Sequence, residues 1–198
     1  VFEGTESAYY SRSGGSADFN RIEISKPSSQ SVTFNSAFSL NGSTNGATKA
    51  LELTSGECHI NDASIDIDLT TGGNDFVIPS GTKLYVTDGV VYASGNSGIK
   101  LDGALIVDGG TANINGTLAD GTEVNSSYIA FTSSGDAYLE VSNSGVLDVG
   151  GQIRRSVSSD EGILNFVQDN GTVKIGTVAG NIESSRGMFE ILGVGSSF

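Results

Sequence analysis

Two carboxylates separated by one residue, Asp66 and Asp68, are the nearest approach in this sequence to a hydrolytic centre. Alternate side chains of a strand share a face, which puts the two acids about 7 Å apart on one surface. That spacing is near the range of paired glycosidase carboxylates, in which one acid protonates the leaving group while the other activates water or attacks. Two solvated acids on the polar side of a half-buried strand give the same pattern, and this plainer reading is preferred. Arg154 and Arg155 form the only adjacent basic pair. With Asp160 they belong to a long stretch, 152–162, whose composition suits a protruding loop. Loops on a rigid scaffold are where ligand contacts gather, so Arg154, Arg155 and Asp160 are the candidate ligand-contact residues, for an anionic sugar in particular. Ordinary solvated surface charges are the competing explanation.

Other chemistries fare worse. His59 is the only histidine, so a cluster of histidine metal ligands is excluded. Cys58 and His59 are neighbours, and in a strand they face opposite sides. A catalytic thiol needs exposure and a base within reach. Cys58 shares parity with Ile60 and is expected to be buried and inert, with His59 outside. Asp88, Asp102, Asp108, Asp120, Asp136 and Asp148 recur beside turns, which makes Ca2+ the one metal to consider. The glycine-rich nonapeptide of calcium-binding β-rolls is missing, with Gly72-Gly73-Asn74-Asp75 only a fragment of it. Asp and Asn are also ordinary turn residues. No cofactor and no catalytic residue is therefore expected. Thr70-Thr71 is unrepeated, so the regular threonine array of an ice-binding face is not present.

Charge narrows the partners. Ten Lys and Arg stand against 23 Asp and Glu, a formal net charge of -13. Nucleic acid and anionic membranes select clustered cations, so neither is expected as a partner. No apolar run approaches the roughly 20 residues of a membrane helix. A single cysteine rules out an intrachain disulfide, so another source of stability is needed, such as a repeating core.

The elements that must position these residues are strands. Short alternating apolar and polar runs recur at 32–35, 50–54, 64–69, 83–88, 99–103, 128–132, 138–141, 146–150, 163–167, 172–177 and 188–192. Asn-Gly pairs at 41–42, 45–46, 115–116 and 170–171 predict positive-φ turns. In the last third the runs repeat. Tyr138-Leu139-Glu140-Val141, Ile163-Leu164-Asn165-Phe166 and Met188-Phe189-Glu190-Ile191 follow one another at the same offset both times. A second strand repeats alongside, Leu147-Asp148-Val149 against Val173-Lys174-Ile175. Stacking predicts one internal column of Leu139, Leu164 and Phe189, and another of Val141, Phe166 and Ile191, with Glu140, Asn165 and Glu190 outside. Earlier segments keep the same alternation: Ile65, Ile67, Leu69, Leu84 and Val86 face in. The register of residues 1–60 is left open, and 1–16 is an irregular stretch or an incomplete coil.

The strings Gly145-Val-Leu-Asp-Val-Gly-Gly-Gln-Ile-Arg-Arg155, Gly162-Ile-Leu-Asn-Phe166, Gly171-Thr-Val-Lys-Ile-Gly176 and Ser185-Arg-Gly-Met-Phe-Glu-Ile191 carry a resemblance. They resemble the β-helical regions of large secreted bacterial surface proteins of the adhesin type common in Bacteroidetes, and more distantly the filamentous haemagglutinins. The resemblance is best over residues 95–198. It implies an exported, surface-associated stalk or adhesive segment, and it names no ligand.

The expected fold is all-β, a right-handed parallel β-helix (β-solenoid) of about 25 residues per coil, with 1–198 a single solenoid segment. About eight coils at about 4.8 Å each would make a rod roughly 35–40 Å long. No polar cap is visible near Phe198, so the chain is expected to continue past it. The expected role is structural or adhesive, at the cell surface or outside the cell, without catalysis. Surface glycans or neighbouring copies of the chain are the expected partners. The alternative is a carbohydrate-active β-helix, a lyase or hydrolase acting on extracellular polysaccharide.

Overall fold

The computed structural model describes residues 1–42, 50–70, 73–94, 97–116, 127–132, 136–156, 162–175 and 189–190. Among them all regular structure is β, with no helix, and every ladder between strands is parallel. The largest sheet has eight strands. Its order is β1 (Ala8–Tyr10), β4 (Ser31–Phe34), β7 (Glu57–Ile60), β10 (Lys83–Val86), β13 (Ala104–Asp108), β16 (Asp136–Ser142), β19 (Ile163–Asp169) and β21 (Phe189–Glu190). A five-stranded sheet orders β8 (Asp66–Asp68), β11 (Val90–Ser94), β14 (Thr111–Gly116), β17 (Val146–Val149) and β20 (Thr172–Ile175). A four-stranded sheet orders β9 (Phe76–Ile78), β12 (Ile99–Leu101), β15 (Ile129–Phe131) and β18 (Ile153–Arg155). Two short pairs complete the set, β2 (Ala17–Phe19) with β5 (Phe38–Leu40) and β3 (Ile22–Ser25) with β6 (Leu51–Ser55). Apart from β19 and β21, neighbours in each sheet are three strands apart in the chain, so between two visits to one sheet the backbone contributes a strand to each of two others.

Alternation explains the burial. In the eight-stranded sheet Val32, Cys58, Leu84, Leu105, Leu139 and Phe166 are aligned in successive strands, and all are buried. Phe34, Ile60, Val86, Val107 and Val141 make a second buried column two residues on. Each buried aliphatic side chain contributes about 1.5–3 kcal/mol relative to exposure, so stability accumulates strand by strand.

The register differs from the expectation in one place. Leu139 pairs with Phe166, and Ala137 with Leu164, a slip of two positions. Such a slip keeps every side chain on its own face, because the pleat has period two. It brings Val141 opposite Gln168, whose Nε2 donates to the Gly171 carbonyl at 2.9 Å, so the buried amide is satisfied. Leu164 with Phe189 and Leu147 with Val173 pair as the repeat predicts. Ile191 lies outside the described residues. Gly42 and Asn170 have the positive φ expected of their turns, whereas Asn115 and Gly116 lie within β14, and 45–46 are not described.

Residues 1–60, whose register was open, join the same stack: Ala8 pairs with Val32 and Ser31 with Glu57. The stretch 1–16 holds β1, and Phe2 bridges to Ile24. Buried Lys26 ties the first residues down, its ammonium donating to the carbonyls of Glu3 (2.7 Å) and Glu6 (2.8 Å). Phe2, Tyr10, Phe19, Phe34 and Phe38 fill this end with mutual ring contacts, Phe34 and Phe38 only 4.6 Å apart between centroids. The Phe2–Phe34, Tyr10–Phe19, Tyr10–Phe38 and Phe19–Phe38 pairs meet edge to face, which adds to area burial.

A seam follows. The described residues show no ladder between β5 and β8, or between β6 and β9, although each pair lies side by side. Leu51–Thr54, Val77 and Pro79 line a pocket of about 210 Å³ at the β6–β9 edge. Among the described residues, only the eight-stranded sheet carries a ladder across this level, through β4 and β7. Missing ladders lower the cost of local opening. Hydrogen exchange is therefore expected to deprotect the amides of β2, β3, β5 and β6 together, before those of β11, β14 and β17. Uniform protection along all three sheets would show that the seam carries no weakness.

Candidate functional site

The expected carboxylate pair is present as a pair of outward side chains, with Ile67 buried between them. Its two members differ. Asp66 is exposed, while the Asp68 carboxylate accepts from the Thr70 amide (2.7 Å), the Thr70 hydroxyl (2.8 Å) and the Ser94 hydroxyl on the next strand. Tyr92 is in register with Asp68, and its phenol is pushed above its ordinary pKa by burial and then by the charges of Asp68 and Asp66. Asp68 thus ties two strands together.

The same use of acids recurs at the turns. Asp102 accepts from the Thr132 amide and hydroxyl, and Asp108 from the side chains of Ser142 and Asn143, all partners distant in sequence. Asp88 accepts from the amide of Gly89, an ordinary turn bond. Asp148 is in register with Lys174. Asp120 and the side chain of Asp136 lie outside the described residues. Among the described residues no group of three His, Cys, Asp or Glu is gathered as a metal site.

Cys58 is buried, and burial pushes its thiol up to about 12. A protonated thiol sealed in the core is no nucleophile. His59 points the other way and stacks on Tyr85, with ring centroids 4.3 Å apart. Around it the outer face of the eight-stranded sheet is dense with contacts. Glu57 faces His59 Nε2 at 3.1 Å and Lys83 Nζ at 3.0 Å. Burial alone would raise the Glu57 carboxyl, but these hydrogen bonds outweigh it and leave its pKa below the ordinary value. The Tyr138 hydroxyl donates to Glu140 at 2.7 Å, and burial followed by that bond pushes the phenol up to about 12. Ala104 and Ile106, on the outer side of their strand, are buried nonetheless. They occupy the register positions between Lys83 and Tyr138 and between Tyr85 and Glu140.

Arg154 and Arg155 are on a strand, β18, and not in a protruding loop. Strand alternation then sends them to opposite sides. Arg155 is in register with buried Phe131, and Arg154 with Ala130 and Lys100, so the two do not act as one basic pair. Asp160 lies outside the described residues.

Arg154 belongs instead to a group drawn from four successive layers of the four-stranded sheet. Its guanidinium carbon lies 4.7 Å from the ring centroid of Tyr128. The Tyr128 hydroxyl donates to Asp75 Oδ2 at 3.0 Å, and Lys100 Nζ lies 3.3 Å from the same oxygen. Asp75 Oδ1 accepts from the Gly98 amide at 3.0 Å. Gly98 is needed for close approach: a Cβ there would lie 2.9 Å from the Tyr128 ring and 2.3 Å from its carbonyl oxygen. Burial first, and then Asp75, raise the Tyr128 phenol, so it stays a donor. Of this group only Arg154 is singled out by the sequence as a ligand contact. The signal for the others is weak: outward parity, at sequence separations that vary from strand to strand.

No family model, no curated protein and no solved structure matches this chain.

Cys58 generates a pH prediction. Its thiol ionises near 9 when unfolded and near 12 when folded, so unfolding releases a proton between those values. The associated stability is complete below pH 9 and declines as pH rises toward 12, by up to about 1.4 kcal/mol per unit. Urea melts between pH 8 and 10.5 should show a shallower loss for Cys58→Ala than for the parent. Equal slopes would show that the thiol does not govern the alkaline limb.

Proposed function

We propose that this chain is a right-handed parallel β-solenoid serving as a structural or adhesive segment of a cell-surface or extracellular protein, without catalysis. The solenoid reading is supported by the steps between successive strands of the eight-stranded sheet. Val32, Cys58 and Leu84 follow one another at equal steps, and Leu164 to Phe189 is nearly the same step. Leu84 to Leu105 is shorter, and Leu105 to Leu139 longer. A coil of about 25 residues, with insertions and deletions taken up in the turns, accounts for this series. Right-handed crossovers are the rule for parallel strands in one sheet.

The observation that carries the functional half is how the outer polar groups are used. Asp68, Asp75, Asp102 and Asp108 bond to Ser94, Gly98, Thr132 and Asn143 respectively, which places each bond across neighbouring coils. Asn61 donates to Asn35 at 2.9 Å, and Ser7 to Gln30 at 3.0 Å, in the same manner. Of the expected pair, Asp68 is bound up in these contacts and only Asp66 is left exposed, which leaves a lone acid rather than two cooperating ones. Surface placement and export rest on the sequence resemblance and on a strongly acidic composition suited to solubility.

Glycan-array binding of the purified chain, with and without calcium, should be run beside product release from acidic polysaccharides. Binding without turnover, or neither, is the expected result. Turnover would overturn this reading in favour of a polysaccharide lyase or hydrolase.

A further inference from the structure

Arg154 stands apart from most cations of this chain. Lys83, Lys100 and Arg21 each face a carboxylate, and Lys26 is held by two carbonyls. Among the described residues Arg154 has no ion pair; its contact is the face of Tyr128, and its Nε is buried without a hydrogen-bond partner. It is half-buried and held in place, unlike exposed Lys174. The ring beneath it is fixed from the other side, by Gly98 below and by the Tyr128–Asp75 bond at its tip. A guanidinium on an aromatic face keeps its charge and its planar fork while losing little further entropy on binding.

We propose that Arg154, presented by Tyr128, Gly98 and Asp75, is the anchor of a surface subsite for a carboxylate-bearing saccharide. This rests on the adhesive reading above and names the ligand class. The fork of a guanidinium matches a carboxylate with two parallel hydrogen bonds. Lys100 is in register two strands away and faces Asp75, so that acid is already paired and leaves the Arg154 guanidinium to a ligand. Gln152, beside Arg154 on the outer face and only partly buried, offers an amide to sugar hydroxyls.

Calorimetric titration at physiological salt, with a short oligogalacturonate, its neutral counterpart and a sulfated oligosaccharide, tests this. The uronate should bind the parent chain and Lys174→Gln equally, the neutral oligosaccharide should fail, and Arg154→Gln should weaken uronate binding by about tenfold or more. Arg154→Lys, which keeps the charge without the fork, should fall between. If Arg154→Gln fails to fold, that Arg154→Lys series decides: affinity equal to the parent overturns the bidentate anchor. Preference for the sulfated ligand overturns the carboxylate assignment, and no uronate binding by the parent overturns the subsite. Self-association lost on Arg154→Gln, without uronate binding, assigns the anchor to a second copy and also overturns it. None of these outcomes touches the solenoid reading unless turnover or a collapsed, non-parallel structure accompanies it.

Discussion

Parallel backbone pairing, strand on strand, is the constraint on which everything else in this chain depends. It fixes which side chains enter the interior, because parity is set once the first pair of strands is in register. An interior of Val, Ile, Leu and Phe then follows, and a polar residue inside, such as Gln168, must find a partner within its own turn. The described backbone returns to the eight-stranded sheet after strands in other sheets, and the length of each circuit varies.

The outer face obeys a second rule. A chain with few basic residues and many acids cannot neutralise its surface by ion pairs, and only a handful form among the described residues. Carboxylates here instead accept hydrogen bonds from hydroxyls, amides and backbone N–H groups of adjacent strands, which adds lateral fastening along the stack. At Arg154, an aromatic ring takes the place of a carboxylate. The seam between β5 and β8, and between β6 and β9, shows the same dependence from the opposite side. Among the described residues, where two of the three ladders lapse, the β4–β7 ladder and the buried columns join the two sides.

Much of this is legible in the sequence, and the limits have physical causes. Parity is legible throughout: Cys58 and Ile67 inside, His59, Asp66, Tyr85 and Glu140 outside. Parity needs only the alternation of one strand. The all-β, parallel character follows from the repeat in the last third. Short strands such as Ala17–Phe19 and Phe76–Ile78 escape because they carry too little alternation to count. The slip between β16 and β19 escapes for a different reason: both registers bury the same faces, so apolar pattern cannot choose between them. Placing Arg154 and Arg155 in a loop is an error of the same origin as the missed group around Tyr128. Neighbours on adjacent strands depend on the step from one strand to the next, and the unequal steps from Leu84 to Leu105, then to Leu139 and Phe166, defeat a fixed period.

The central claim is that successive coils stack along a single axis, and a distance between ends of one outward column tests it most directly. Tyr9, Thr33, His59, Tyr85, Ile106, Glu140 and Val167 occupy that column in the eight-stranded sheet. Spin labels at Tyr9 and Val167, measured by pulsed electron resonance, should give one narrow distribution corresponding to a backbone separation of about 29 Å, six steps of strand spacing. A broad distribution, or a centre well below that separation, would contradict the stack.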